Sequence, residues 1–262
     1  ARVRVHRTAA RGLAAARNAG LDLARGAYIQ LLDADDVILP TKLAAQLAAL
    51  ARELRPALAY CDYFRARLDD SIAEAALPGL YLPPCLDHDR PLADLATRWE
   101  RSLSIPVHCF LLDRRLFSEH GIRFDERLPN HEDWDCWMEI LRLDPALHYV
   151  DAKLAVYRLS AQSMSRDRPR MRRGFLRAIR KQRRSFRHDP GMRAVLTAKL
   201  ADTEHAYRDC SPRGRAGRAV GEGLRGAGRL LPAPVRRRLG PVVRSWMAAR
   251  GWIMRLVIGL GG

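Results

Sequence analysis

The stretch YIQLLDADDVILP, residues 28–40, sets the tightest limit on the fold. An apolar run ends abruptly in three carboxylates, Asp33, Asp35 and Asp36. Like charges this close repel one another unless a cation sits among them. On extended backbone alternate side chains share a side, so Asp33 and Asp35 point together and Ala34 points away. Ligands of open α/β sheets bind beyond the carboxyl ends of the strands, which is where this cluster falls. The expected positive charge is a hard divalent cation, Mg²⁺ or Mn²⁺, held by Asp33 and Asp35 and by the phosphates of a substrate. In the competing reading, Asp35 or Asp36 caps the turn into the next helix.

The surrounding pattern alternates helix and strand. Residues 12–26 carry Ala and Leu at helical spacing and end on Gly26, and residues 27–32 read as a short buried strand. Pro40 opens a helix whose apolar stripe is Leu43, Leu47, Leu50 and Leu54, with Pro56 as its stop. Residues 57–64 and 107–112 are strand candidates, and residues 114–120 and 132–143 are helix candidates. Residues 65–100 read as irregular connection. Such alternation predicts an α/β fold with a mostly parallel sheet flanked by helices.

Charge divides the chain in two. The formal net charge of +17 is spread unevenly: residues 1–165 hold 21 Lys/Arg against 23 Asp/Glu, and residues 166–262 hold 25 against 6. This predicts a near-neutral domain over 1–165 and a basic helical extension over 166–262. In the extension, Met171, Phe175, Ile179, Gln182 and Phe186 trace one stripe of a helix, and residues 211–241, rich in Gly, Pro and Arg, read as loosely ordered. Five cysteines without CxxC spacing suggest reduced thiols and a cytoplasmic setting. Neither a leader peptide nor a membrane-spanning run is read in the sequence.

A second acidic group, HEDWDCW, opens the helix that begins at residue 132. Asn130 and Asp133 have the spacing of a capping box, and acids are favoured in a first helical turn. Alternatively, Asp133 is a general base for an incoming hydroxyl. Trp134 beside it is either a core aromatic or a stacking face for a sugar. His108 and His131 lie near these motifs and carry no assigned role.

Taken together and in this order, GLAAARNAGLDLARGAYIQLLDADDVILPTKLAAQLAAL, HEDWDCWMEILRL and VYRLSAQSMS resemble the family 2 glycosyltransferases of the GT-A fold, over residues 3–165. The resemblance implies inverting transfer of a sugar from a nucleotide-diphosphate donor, most often UDP-linked, to a hydroxyl of a glycan or lipid-linked acceptor. It implies Asp33 and Asp35 as the DxD pair, Arg17 near the nucleotide and Asp133 as base. It also implies Arg158 and Ser165 in the loop over the diphosphate. Ala10 and Ser160 stand where the family often has Asn and His. The chain begins after the family's first strand–helix unit, so a partial catalytic domain is expected.

The basic extension calls for a polyanionic partner. An anionic membrane surface fits an enzyme held peripherally on the inner face of the cell membrane. Three other readings compete. One is a nucleic-acid-binding protein acting through the basic tail; against it, the basic excess sits outside the motif-bearing part and no recognised nucleic-acid module is present. Another is a metal-dependent nucleotidyl or phosphoryl transferase using the same aspartates, which leaves the later EDWD motif unexplained. The third is a catalytically inactive remnant that binds a partner.

Overall fold

The structure is a computed structural model that describes residues 3–9, 11–67, 70, 82–159, 164, 167–210 and 257–258. Seven helices flank one sheet among these residues. The helices are α1 (Leu13–Leu23), α2 (Lys42–Leu50), α3 (Pro91–Arg98), α4 (Arg115–Ser118), α5 (Glu132–Leu141), α6 (Arg168–Ser185) and α7 (Pro190–Cys210). The strands are β1 (Tyr28–Gln30), β2 (Val37–Ile38), β3 (Ala57–Arg67), β4 (Phe110–Asp113), β5 (Ala146–Leu159) and β6 (Val257–Ile258).

Strand order is β2-β5-β3-β4-β1-β6. The α/β class is as expected, but the sheet is mixed rather than mostly parallel. Only β3 and β5 run parallel, and the other four pairings are antiparallel. The physical reason lies in the connections. β4 re-enters beside β3 from the opposite end and then lies antiparallel to β1, so its neighbours on both sides oppose it. The long β3–β5 ladder, from Ala57↔Ala146 to Arg67↔Leu159 with an irregularity around Asp62, is the spine of the sheet.

Local departures from the sequence pattern have simple causes. α2 ends at Leu50, and Leu54 is 92 % exposed because the chain has already turned toward β3. Residues 107–109 form a 3₁₀ turn that delivers Phe110 into β4. β5 begins ten residues before Val156, where the interrupted pattern LHYVDAK hid a strand that is half-buried on its outer side.

α6 and α7 share the core of the sheet domain. Phe175, Ile179 and Phe186 of the predicted stripe, joined by Leu176 and Ala178, enter the same buried cluster as Trp134, Phe110 and Leu112, with Leu196 and Leu200 of α7. Burying side chains of this size contributes about 2 kcal/mol each. Gly174 is what lets α6 approach. A Cβ there would lie 1.8 Å from Asn130 Oδ1 and 2.4 Å from its Cγ. Asn130 cannot easily yield, since its Nδ2 donates to Arg170 O and its Oδ1 faces His131 Nδ1 at 2.7 Å.

Beneath β1 lies a buried polar bracket. Lys42 Nζ donates to Gln30 Oε1 at 2.5 Å, to Gln46 Oε1 and to Phe110 O. Gln46 Nε2 in turn donates to Cys109 O at 2.8 Å, and Gln30 Nε2 to Leu31 O and His108 O. The bracket ties α2, β1 and β4 together directly under the carboxylate turn. Lys42 makes no ion pair among the described residues, and burial lowers its pKa to about 8 from the ordinary 10.5.

Two measurements follow. Alanine in a helix interior ordinarily gains about 1 kcal/mol over glycine. Gly174→Ala is expected instead to lose about 1–3 kcal/mol in urea unfolding, because the new methyl overlaps Asn130. A gain would show that Asn130 moves aside freely. For Lys42, the unfolded chain keeps a proton that the folded chain releases between about pH 8 and 10.5, so stability rises with pH across that window, by about 3 kcal/mol. The difference between wild type and Lys42→Met unfolding curves should contain that rise, and parallel curves would contradict it.

Candidate functional site

The site is built where the turn after β1 meets the start of α5. Residues 33–36 turn sharply, with Asp36 N donating to Asp33 O at 3.1 Å. β2 then pairs with the end of β5, through Val37↔Val156 and Ile38↔Ala155. The carboxylates are thereby fixed on folded backbone rather than on a loose loop.

Each carboxylate has a different environment. Asp33 faces Arg17, whose Nη2 lies 3.2 Å from both of its oxygens. Arg17 comes from α1 and is only 2 % exposed, with its guanidinium 5.4 Å from the centre of the Phe124 ring. Its Nη1 donates to Glu132 Oε1 at 2.7 Å. One buried guanidinium therefore bridges the acidic turn and the first residue of α5. Burial opposes the Arg17 charge, but Asp33, Glu132 and Asp133 outweigh it and hold the arginine above its ordinary pKa. Glu132 is pushed up by burial and by the neighbouring charge of Asp133, with Arg17 pulling the other way.

Asp36 is a fastener. Its Oδ1 accepts from the backbone N–H of Arg158 at 2.8 Å, tying the turn to β5. Its Oδ2 lies 2.8 Å from His108 Nδ1, close enough for charge attraction but not aligned as a hydrogen bond. His108 is fully buried and stacks on Tyr157 with ring centres 6.3 Å apart.

Asp35 differs from both neighbours, since its carboxylate makes no ion pair among the described residues. Partial burial and the repulsion of Asp36 raise its pKa. An added cation would relieve both. The positive charge beside Asp33 in this structure is Arg17, and Asp35 is the carboxylate without an ion pair among the described residues. Among the described residues no group of three His, Cys, Asp or Glu side chains is placed to hold a metal ion. A single carboxylate fits Mg²⁺ or Mn²⁺ where phosphates and water complete the shell.

Across from the turn, α5 begins at Glu132 after His131, which adopts φ 59° and ψ 21°. This left-handed residue swings the chain so that Glu132 and Asp133 both fall near Arg17. No side chain caps α5; Asn130 is spent on His131 and Arg170 instead, so the capping box is not formed. Asp133 is half-buried, and its Oδ1 accepts from the backbone N–H of Trp134 at 2.7 Å. His131 is held from both ring nitrogens, by Asn130 Oδ1 and by Glu100 Oε1 at 2.9 Å, and its ring stacks 4.4 Å from that of Phe175.

The structure therefore brings Arg17, Asp33, Asp35, Asp133 and the backbone of Arg158 to one region. Arg17 Nε and Arg158 Nε are buried there without a hydrogen-bond partner among the described residues. Trp134 does not belong to it. Its ring is fully buried, meets Phe175 edge-on and donates its indole N–H to Leu95 O at 3.3 Å, so it is a core residue with no face for a sugar. Ser165 and Ser160 lie outside the described residues. Glu132 was the contributor that spacing did not single out; the visible signal was only that it sits beside a motif acid. A separate open hollow, lined by Asn18, Gly121, Asp125, Glu139 and Lys181, holds none of these residues.

Residues 1–120 match the family described as Glycosyl transferase family 2. Among curated proteins, the uncharacterized glycosyltransferase EpsJ of Bacillus subtilis (strain 168) is 28% identical over 171 residues, covering 63% of this chain and 47% of that protein. An uncharacterized glycosyltransferase of Rickettsia felis is 28% identical over 158 residues, covering 59% of this chain and 25% of that protein. The crystal structure of S. aureus TarS 1-349 in complex with UDP-GlcNAc aligns with a TM-score of 0.50 at 16% identity, covering 76% of this chain and 54% of that one. That likeness bears on the fold, and it agrees with the GT-A-like architecture expected from the motifs. The chain spans about half or less of the length of each of these proteins.

Removing the bridge should be costly. Arg17→Met leaves Glu132 buried and Asp33 part-buried without their counter-charge, a change that costs about 3–5 kcal/mol. Urea unfolding at neutral pH measures it, and a loss below about 1 kcal/mol would mean that water already neutralises the pair.

Proposed function

We propose that this chain, whose residues 1–120 match the family described as Glycosyl transferase family 2, transfers a sugar, with inversion, from a nucleotide-diphosphate donor to a hydroxyl of a glycan or lipid-linked acceptor. The observation that carries this reading is the Arg17 bridge, which joins Asp33 to the acidic start of α5. Donor-side and acceptor-side chemistry need that proximity.

The roles follow from chemistry. In an in-line displacement, the acceptor oxygen bonds to the anomeric carbon as the bond from that carbon to the diphosphate oxygen breaks. The bonding electrons leave on the diphosphate, and the acceptor proton goes to a base. Asp133 is that base, a half-buried carboxylate beside Arg17. Arg17 and Arg158, each with a buried Nε that no described residue accepts from, favour the growing charge on the leaving diphosphate. Asp33, turned by Arg17, faces the nucleotide. Asp35 would hold a divalent metal, which when bound supplies electrostatic stabilisation to the diphosphate. Ser165 belongs to the same proposal as a donor contact. UDP-linked sugars are the first donors to test, because the TarS structure of similar fold is a complex with UDP-GlcNAc.

The test is release of UDP from UDP-sugars in the presence of acceptor glycans. Asp133→Asn is expected to lower kcat by about 10²–10⁴-fold while leaving UDP affinity within a few-fold. Asp35→Asn should abolish the gain in UDP affinity that Mn²⁺ gives the wild type. Unchanged kcat in the Asp133 variant would remove it from the base role.

A further inference from the structure

α6 is basic on an unusual scale, with eight arginines and Lys181 between residues 168 and 185 and no acid among them. Lys181 is spoken for, at 2.5 Å from Asp135 and 3.0 Å from Asp125. The arginines are not scattered. Arg170, Arg173, Arg177, Arg180 and Arg184 recur at intervals of three and four residues, and all five are exposed. At about 100° per residue they fall within an arc of about 80°, opposite the face that buries Phe175, Ile179 and Gln182. They form one row about 21 Å long on a continuous helix.

We propose that this row docks the chain on an anionic lipid bilayer. The shape of the row fits a flat anionic sheet: a single line of guanidinium groups on the outer face of a helix meets a plane of phosphates along its length, with Arg180 shared with Glu204 of α7 at 2.7 Å. Duplex nucleic acid offers phosphates to the same cations along a curved backbone, and the two are separated by experiment.

Docking by this face would also orient the site. The opposite side of α6 carries Phe175, stacked on His131, which immediately precedes Glu132 and Asp133. The bilayer plane and the start of α5 are thus related through one rigid helix. The inference rests on the proposed function only for its purpose, as membrane attachment is read without any turnover.

The experiment is sedimentation of the full chain with vesicles of phosphatidylcholine containing roughly 30 % phosphatidylglycerol, at about 0.1 M salt. At about five-fold per arginine, Arg173→Gln/Arg177→Gln/Arg184→Gln should weaken binding by about 100-fold. The charge-keeping Arg173→Lys/Arg177→Lys/Arg184→Lys variant should retain binding within about ten-fold. Neutralising Arg25, Arg52 and Arg123, exposed elsewhere, should cost no more than about three-fold. Equal losses in the two glutamine triples would overturn the proposal, since net charge rather than the row would then be responsible. So would wild-type protein that ignores these vesicles and binds a DNA duplex through the same arginines.

Discussion

A single buried guanidinium organises this protein's chemistry. Arg17 sits between Asp33, three residues past the end of β1, and Glu132, the first residue of α5. In low-dielectric surroundings two carboxylates brought this close would repel strongly, so the arrangement holds only while the arginine is there. The three acids of the opening turn are thereby given three different fates. Asp33 is neutralised by Arg17, Asp36 is consumed in fastening β5, and Asp35 remains with its charge uncompensated.

Around that bridge the fold provides stiffness from below and from the side. Lys42, Gln30 and Gln46 brace the underside of β1 by hydrogen bonds, with no counter-charge among the described residues. His131, gripped by Asn130 and Glu100 and stacked on Phe175, fixes the direction in which α5 starts. Burial would raise Glu100, but His131, Lys199 and Arg172 outweigh it and hold its pKa below the ordinary value. Lys199 of α7 also donates to the carbonyls of Thr97 and Trp99, closing the end of α3. The C-terminal helices thus buttress the site while turning their arginines outward.

Much of this was legible in the sequence, for identifiable reasons. Strong helical periodicity gave α1, α2, α5 and the buried stripe of α6, and the apolar run before DAD gave β1. The order of motifs along the chain pointed to the family. What was not legible was non-local. Strand direction depends on where a long connection re-enters, so the mixed sheet could not be read from alternation. Trp134 could be core or contact until its neighbours were known, and Phe175, 41 positions later, decides it. The Arg17 partner of Asp33 comes from α1, 16 residues earlier, with nothing in local spacing to announce it.

The most direct test of the bridge is a double-mutant cycle on Arg17→Met and Glu132→Gln, read by urea unfolding. If the guanidinium and the glutamate act as one unit, removing either should make removal of the other much cheaper, with a coupling energy of about 1.5–3 kcal/mol. Additivity of the two losses within about 0.5 kcal/mol would contradict the account, leaving the turn after β1 and the start of α5 as neighbours held together by something else.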